Sequence, residues 1–161
     1  MSDPFFPELA GEPGEDAGRT SGRRGFVIRT DGAARGNPGP ASLGAALFDL
    51  SRSDARDDRA IPDASISDYL GVQTNNVAEY TGVVRALALA RDLGAQEVHL
   101  LLDSKLIPLW TAARQTLAGF ERWSAAHVPR ARNTVADQLA NEAIDRVERG
   151  GPPSVVVRPG A

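Results

Sequence analysis

The feature that most constrains this chain is a change of hydrophobic period at Val77. Before it, Phe26-Val27-Ile28, Leu43 to Phe48 and Ser65 to Gly71 are short apolar or alternating runs bounded by glycine, proline or charge, the pattern of strands. After it, Val77 to Leu93 has helical spacing and Val98 to Leu102 is an apolar run of strand length. Pro108 suits the first turn of a second helix with Leu109, Ala113, Thr116, Leu117 and Phe120 as its stripe, and Trp123 to Val128 supplies a fifth strand. Asn133 is placed to cap a third helix reaching Glu148, with Ala136, Leu139, Ala140, Ala143 and Val147 inward. Three strands with short or solvated links predict an antiparallel meander. The strand, helix, strand, helix, strand order that follows predicts parallel strands joined by crossovers, hence an α/β fold with a mixed sheet.

With 161 residues and 42% apolar content, one domain is the expectation. Residues 1–24 mix Pro, Gly, Glu, Asp and Arg without a period and read as a disordered tail; 25–149 read as the domain, and 150–161, opening Gly-Gly-Pro-Pro, as a flexible tail. With no cysteine there is no disulfide framework and no thiolate metal site, so any metal rests on oxygen or on the two histidines. No apolar run is long enough to cross a bilayer and the N-terminus lacks the order of a secretion signal, so a cytoplasmic protein without a membrane partner is expected. The net charge of −3 taken alone weighs against nucleic acid as a partner.

In mixed sheets of this kind, sites gather beyond the carboxyl ends of the parallel strands. Asp31 and Asp103 both stand at such ends. Each acid has an ordinary reading beside the functional one. Asp31 before Gly32 suits a turn, Asp103 an N-cap, and Asp137 the positive end of a helix dipole. Glu79 suits a capping box begun at Asn76. On a helical wheel, however, Glu79 lies in line with Val83, Ala86 and Ala90, the small apolar stripe that would face the sheet. Four converging carboxylates would repel by on the order of several kcal/mol at low dielectric, so they would persist only around a cation. Hard oxygen ligands select Mg²⁺ or Mn²⁺ over zinc. Two such ions suit phosphodiester cleavage, activating a water and stabilising the leaving oxygen.

Four stretches carry a resemblance: Asp31-Gly32-Ala33-Ala34-Arg35-Gly36-Asn37-Pro38-Gly39-Pro40, Thr74-Asn75-Asn76-Val77-Ala78-Glu79-Tyr80, Leu102-Asp103-Ser104-Lys105-Leu106, and Val128-Pro129-Arg130 with Asn133 and Ala136 to Ala143. In order and character they resemble the type 1 ribonuclease H family, nearest its short bacterial and archaeal forms. The resemblance implies a five-stranded mixed sheet with helices on both faces, and an endonuclease that hydrolyses the RNA strand of RNA–DNA hybrids. It implies Asp31, Glu79, Asp103 and Asp137 as catalytic ligands of two Mg²⁺ or Mn²⁺ ions, and Asn37, Asn75 and Asn76 facing the minor groove, where amides can meet the 2′-hydroxyl. Ser104, Lys105, Arg130, Arg132 and Asn133 complete the expected substrate contacts. A monomer acting on hybrid, with double-stranded RNA as a further partner, is the corresponding expectation.

The sequence departs from the family pattern in two places. Asp103 to Ile107 runs almost directly into Pro108, so a segment on the order of one helix is missing where the family carries a basic or aromatic connection. A catalytically weak or inactive hybrid-binding module is therefore the alternative reading. The stretch between Arg130 and Asp137 also holds no histidine. Arg130 and Arg132 stand where phosphate could be met, while His99 and His127 read as structural or surface histidines. A nucleotide-binding domain is disfavoured, because the glycine-rich loop does not lead into a helix.

Overall fold

The computed structural model describes residues 22–160. Strands β1 (Gly25–Ala34), β2 (Gly39–Asp49) and β3 (Ala64–Gln73) pair antiparallel in sequence order. Helix α1 (Asn75–Asp92), strand β4 (Glu97–Leu102), helix α2 (Ile107–Leu117), strand β5 (Arg122–His127) and helix α3 (Thr134–Glu148) follow, with one turn of 3-10 helix at Arg130–Arg132 before α3. Strand β4 lies parallel to β1, and β5 parallel to β4.

Among the described residues the sheet has six strands rather than five. The sixth, β6 (Ser154–Val157), pairs antiparallel with Ser65–Asp68 of β3 and gives the order β5-β4-β1-β2-β3-β6. This segment was expected to be a flexible tail. Its three valines favour extended backbone, and Arg146 of α3 fastens it: Nε donates to Pro152 O at 2.6 Å and Nη2 to Ser67 O at 2.7 Å. The tail expected over 1–24 lies outside the described residues up to 21. At its end Arg24 is already tied into the fold, its carbonyl accepting from Gln96 N at 2.8 Å.

The pleat of β1 divides the core. Phe26 and Ile28 join Leu43, Leu47, Leu100 and Leu102 under the apolar faces of α1 and α2, while Val27 joins Ala46, Phe48 and Leu101 on the other face, against Val135 and Leu139 of α3. Helices thus cover both faces, and the carboxyl ends of β1 and β4 open between them. Among the described residues no helix is long and apolar enough to cross a membrane.

Candidate active site

Strand register brings the first two carboxylates together. Thr30 lies opposite Leu102 in the parallel β1–β4 pair, so the next residue of each strand path, Asp31 and Asp103, emerges at neighbouring ends. Glu79 arrives from α1. That helix is capped by Thr74, whose Oγ1 accepts from Val77 N at 3.3 Å, and begins at Asn75. Glu79 is therefore a full turn inside the helix, and the competing reading of a capping box begun at Asn76 falls, since Thr74 is the cap. Gly32 lets the helix approach: a Cβ there would lie 2.5 Å from Glu79 N and 2.6 Å from Ala78 C. One carboxylate oxygen from each of Asp31, Glu79 and Asp103 falls within 4.8 Å of the others.

Asp137 comes from the opposite face. Gly44, the cross-strand partner of Asp31, admits the first two turns of α3, since a Cβ there would stand 2.6 Å from Ala140 N. The charge of Asp137 reaches Asp31. Yet Asp137 is outside the triplet, and its Oδ1 accepts from Asn141 Nδ2 at 3.2 Å. Three of the four predicted ligands therefore meet, with the fourth at their edge.

The triplet fits a hard divalent cation. Oδ2 of Asp31 and Oδ2 of Asp103 are buried with no hydrogen-bond partner. Burial, then the charges of Glu79, Asp103 and Asp137, push the Asp31 carboxyl up to about 9. Burial and Asp103 push Glu79 up to about 7, opposed by hydrogen bonds from Asp31 and Gly32 N–H and by the charge of Arg130. Orphaned buried oxygens and mutual repulsion are what a cation held by oxygen ligands relieves.

The shortened connection after Asp103 does not loosen it. His127 Nε2 donates to Asp103 O at 3.1 Å, and Trp110 Nε1 donates to Ser104 O at 2.9 Å. The histidine read as structural thus braces a candidate ligand, a role with no signal in the sequence because its partner is a carbonyl 24 residues away. His99 is buried between Ser124 Oγ at 2.6 Å and Glu97 Oε2 at 2.7 Å, away from the site.

The residues expected at substrate divide into two groups. Asn37 Oδ1 accepts from Asn75 N at 3.1 Å, joining the glycine-rich loop to the start of α1, where Asn75 and Asn76 are exposed. Lys105, Arg130 and Arg132 are exposed, and Ser104 is partly buried, its Oγ accepting from Leu106 N at 3.2 Å. Asn133 is the correction. It is fully buried, makes no side-chain cap to α3, and instead donates from Nδ2 to Thr30 O at 2.8 Å. It braces the strand that carries Asp31 and presents no side chain to solvent. Beside the triplet, Asn76, Val77, Tyr80, Leu106 and Leu109 line a largely apolar groove of ≈ 350 Å³ between α1 and α2.

Fold and site together define an α/β protein with an acidic centre suited to a divalent cation. No family model matches the chain. It is 39% identical over 135 residues to the bifunctional protein Rv2228c of Mycobacterium tuberculosis, covering 74% of this chain and 35% of that protein. It is 40% identical over 131 residues to ribonuclease HI of Halobacterium salinarum, covering 71% and 62% respectively. The chain thus spans about a third of the mycobacterial relative and less than two thirds of the archaeal one. Among solved structures, the N-terminal RNase H domain of Rv2228c superposes with TM-score 0.63 at 39% identity, over 75% of this chain and 99% of that one. RNase H1 of Halobacterium salinarum gives 0.63 at 38% identity, over 75% and 98%. LC11-RNase H1, solved in complex with an RNA/DNA hybrid, gives 0.62 at 31% identity, over 76% and 99%. The chain belongs to the ribonuclease H family, type 1.

Proposed function

We propose that this protein is an endonuclease that hydrolyses the RNA strand of RNA–DNA hybrids, leaving 3′-hydroxyl and 5′-phosphate ends, as a cytoplasmic monomer. The observation that carries the reading is the Asp31–Glu79–Asp103 triplet with its unpartnered buried oxygens at the open end of the sheet. A relative named ribonuclease HI and a neighbour crystallised on an RNA/DNA hybrid support the substrate class. Asp31, Glu79 and Asp103 would hold two Mg²⁺ or Mn²⁺ ions, with Asp137 the looser ligand. Ions held there supply Lewis-acid stabilisation of charge on the entering and leaving oxygens of the phosphodiester.

The chain's own groups orient the substrate. The amides of Asn37, Asn75 and Asn76 can accept from and donate to a 2′-hydroxyl, which selects the RNA strand for cutting. Arg130 and Arg132, both exposed, would hold phosphate, and Ser104 and Lys105, which follow Asp103 in the chain, would complete the contacts. The alternative of an inactive binder rested on the shortened connection. The assembled triplet and the two clasps on the Asp103–Ser104 backbone weigh against it.

The test is cleavage of end-labelled hybrid, double-stranded RNA and single-stranded RNA in Mg²⁺, in Mn²⁺ and in EDTA, by the wild type and by Asp103→Asn. Metal-dependent cutting of hybrid that Asp103→Asn abolishes supports the proposal. Hybrid bound but left whole in both metals would reverse it in favour of the binder.

A further inference from the structure

Arg29 is a charged residue in the middle of β1, two positions before Asp31 and therefore on the same face of the strand, and it is only 3% exposed. A guanidinium so buried ordinarily sits against a carboxylate. Here its hydrogen-bond partners are backbone carbonyls: Nη1 donates to Arg132 O at 2.5 Å and Nη2 to Arg56 O at 3.1 Å. The first carbonyl belongs to the 3-10 turn that presents Arg130 and Arg132 to solvent. The second belongs to the β2–β3 loop, whose Ala55 is packed in the core on the α3 face. Asp57 and Asp58 in that loop supply countercharge at longer range.

The turn's remaining hydrogen bonds are mostly internal, Arg132 N to Pro129 O at 2.9 Å and Asn133 N to Arg130 O at 3.0 Å. Its ties to β1 are the Arg29 clamp and the Asn133 bond to Thr30 O. A shape-filling apolar side chain at position 29 could serve the core as well as a buried charge does. What it could not do is hold two loops by their carbonyls with one planar fork.

We infer that Arg29 is a positioning residue for substrate: it locks the Arg130–Arg132 turn against β1 and the β2–β3 loop, so that the two arginines meet the phosphates of the hybrid already ordered. Ordering before binding removes part of the entropy that flexible arginines lose on contact. The inference rests on the nuclease reading above.

The test uses the full chain with Mg²⁺ and a defined hybrid, comparing wild type, Arg29→Met, Arg29→Lys, Arg132→Ala and the Arg29→Met/Arg132→Ala pair across a KCl series. Arg29→Met is expected to raise KM about tenfold with kcat nearly unchanged, and to make the dependence of log KM on log salt shallower by about one contact's worth. The double variant should lose little more than the larger single loss. Arg29→Lys keeps the charge but cannot span both carbonyls, so it should fall between, and it serves where the methionine variant folds poorly. Hydrogen exchange at the amides of Arg132 and Asn133 should quicken in both variants while β1 amides stay protected. Unchanged exchange at those two amides, or quicker exchange with wild-type KM and salt slope, overturns the inference. Should the wild type neither bind nor cut hybrid, the nuclease reading falls, and the exchange data still decide whether Arg29 holds the turn.

Discussion

Asp103 depends on three segments distant in sequence: β4 delivers it beside Asp31, His127 holds its carbonyl from β5, and Trp110 holds the next carbonyl from α2. Its Oδ2 has no partner in the fold, so Asp103→Asn should leave the backbone intact while removing a proposed ligand. The expected result is a loss on the order of 10³-fold in kcat with an unchanged far-ultraviolet spectrum. Asp137 stands outside the triplet and shares its Oδ1 with Asn141. Asp137→Asn should therefore weaken metal affinity about 10–100-fold, with much of the rate returning as metal concentration rises. Equal, metal-insensitive losses in both variants would contradict the unequal geometry. Gly32→Ala tests how the site is assembled. Its methyl group would meet the backbone of Ala78 and Glu79 at 2.5–2.6 Å and the Ala78 Cβ at 2.9 Å, with no flexible side chain to yield, so α1 must shift. A destabilisation of about 1–3 kcal/mol is expected by thermal unfolding, with kcat falling about 10²-fold as Glu79 moves. At this scale Asp31 and Asp103 were legible because each follows the end of a strand, and Glu79 because it lies on the sheet-facing stripe of its helix. The braces were not: Asn133 reads as a helix cap, but its amide is spent on Thr30, 103 residues away, and nothing in a single sequence marks Arg29 as a clamp.

Among the elements, those with a strong period of their own were readable and those that depend on partners were not. α1, β4, α2 and α3 lie close to where hydrophobic spacing puts them, whereas β3, weak as a lone pattern over Ser65 to Gly71, extends from Ala64 to Gln73 because β2 pairs with it along that length. β6 went unseen because four residues behind Gly-Gly-Pro-Pro carry no alternation. Its place is fixed by Arg146, by Ser154 Oγ donating to Asp68 Oδ1 at 2.6 Å, and by Arg85 holding the other oxygen of Asp68 at 2.7 Å. Truncation after Gly150 removes the strand and leaves the buried Asp68 short of a partner. It should cost about 1–3 kcal/mol, or about 2–4 °C in Tm for each kcal/mol in a domain of this size. Since β6 lies at the far edge of the sheet, three strands from β1, kcat measured well below Tm should match the full chain. A kcat loss at low temperature would mean that the edge strand communicates with the site.

For the molecule as a whole, the acidic centre makes stability, metal and pH one problem. The net charge of −3 weighed against a nucleic-acid partner when spread evenly over the chain, but three of the carboxylates that produce it are gathered where a cation would cancel them. Without metal, Asp31 is held protonated by burial and by its acidic neighbours up to about 9, against 3.8 for an ordinary aspartate. Between these limits the folded protein keeps a proton that the unfolded chain has released. The contribution of this group to stability is full below about pH 4 and is lost as pH rises toward 9, because the native state binds more protons than the unfolded one. In EDTA, Tm should therefore fall from pH 6 to pH 9, and Asp31→Asn, which removes the charge, should flatten that fall and be the more stable protein at pH 8. Divalent metal favours the deprotonated carboxylates and competes with the proton, so saturating Mg²⁺ should raise the wild-type Tm more at pH 8 than at pH 6 and raise that of Asp31→Asn little at either. Thermal unfolding of both proteins with Mg²⁺ and with EDTA, at those pH values, reads all the terms at once. A wild-type Tm in EDTA that tracks Asp31→Asn from pH 6 to 9 would show that the carboxylates do not strain the fold, and the electrostatic case for a metal at their centre would fail with it.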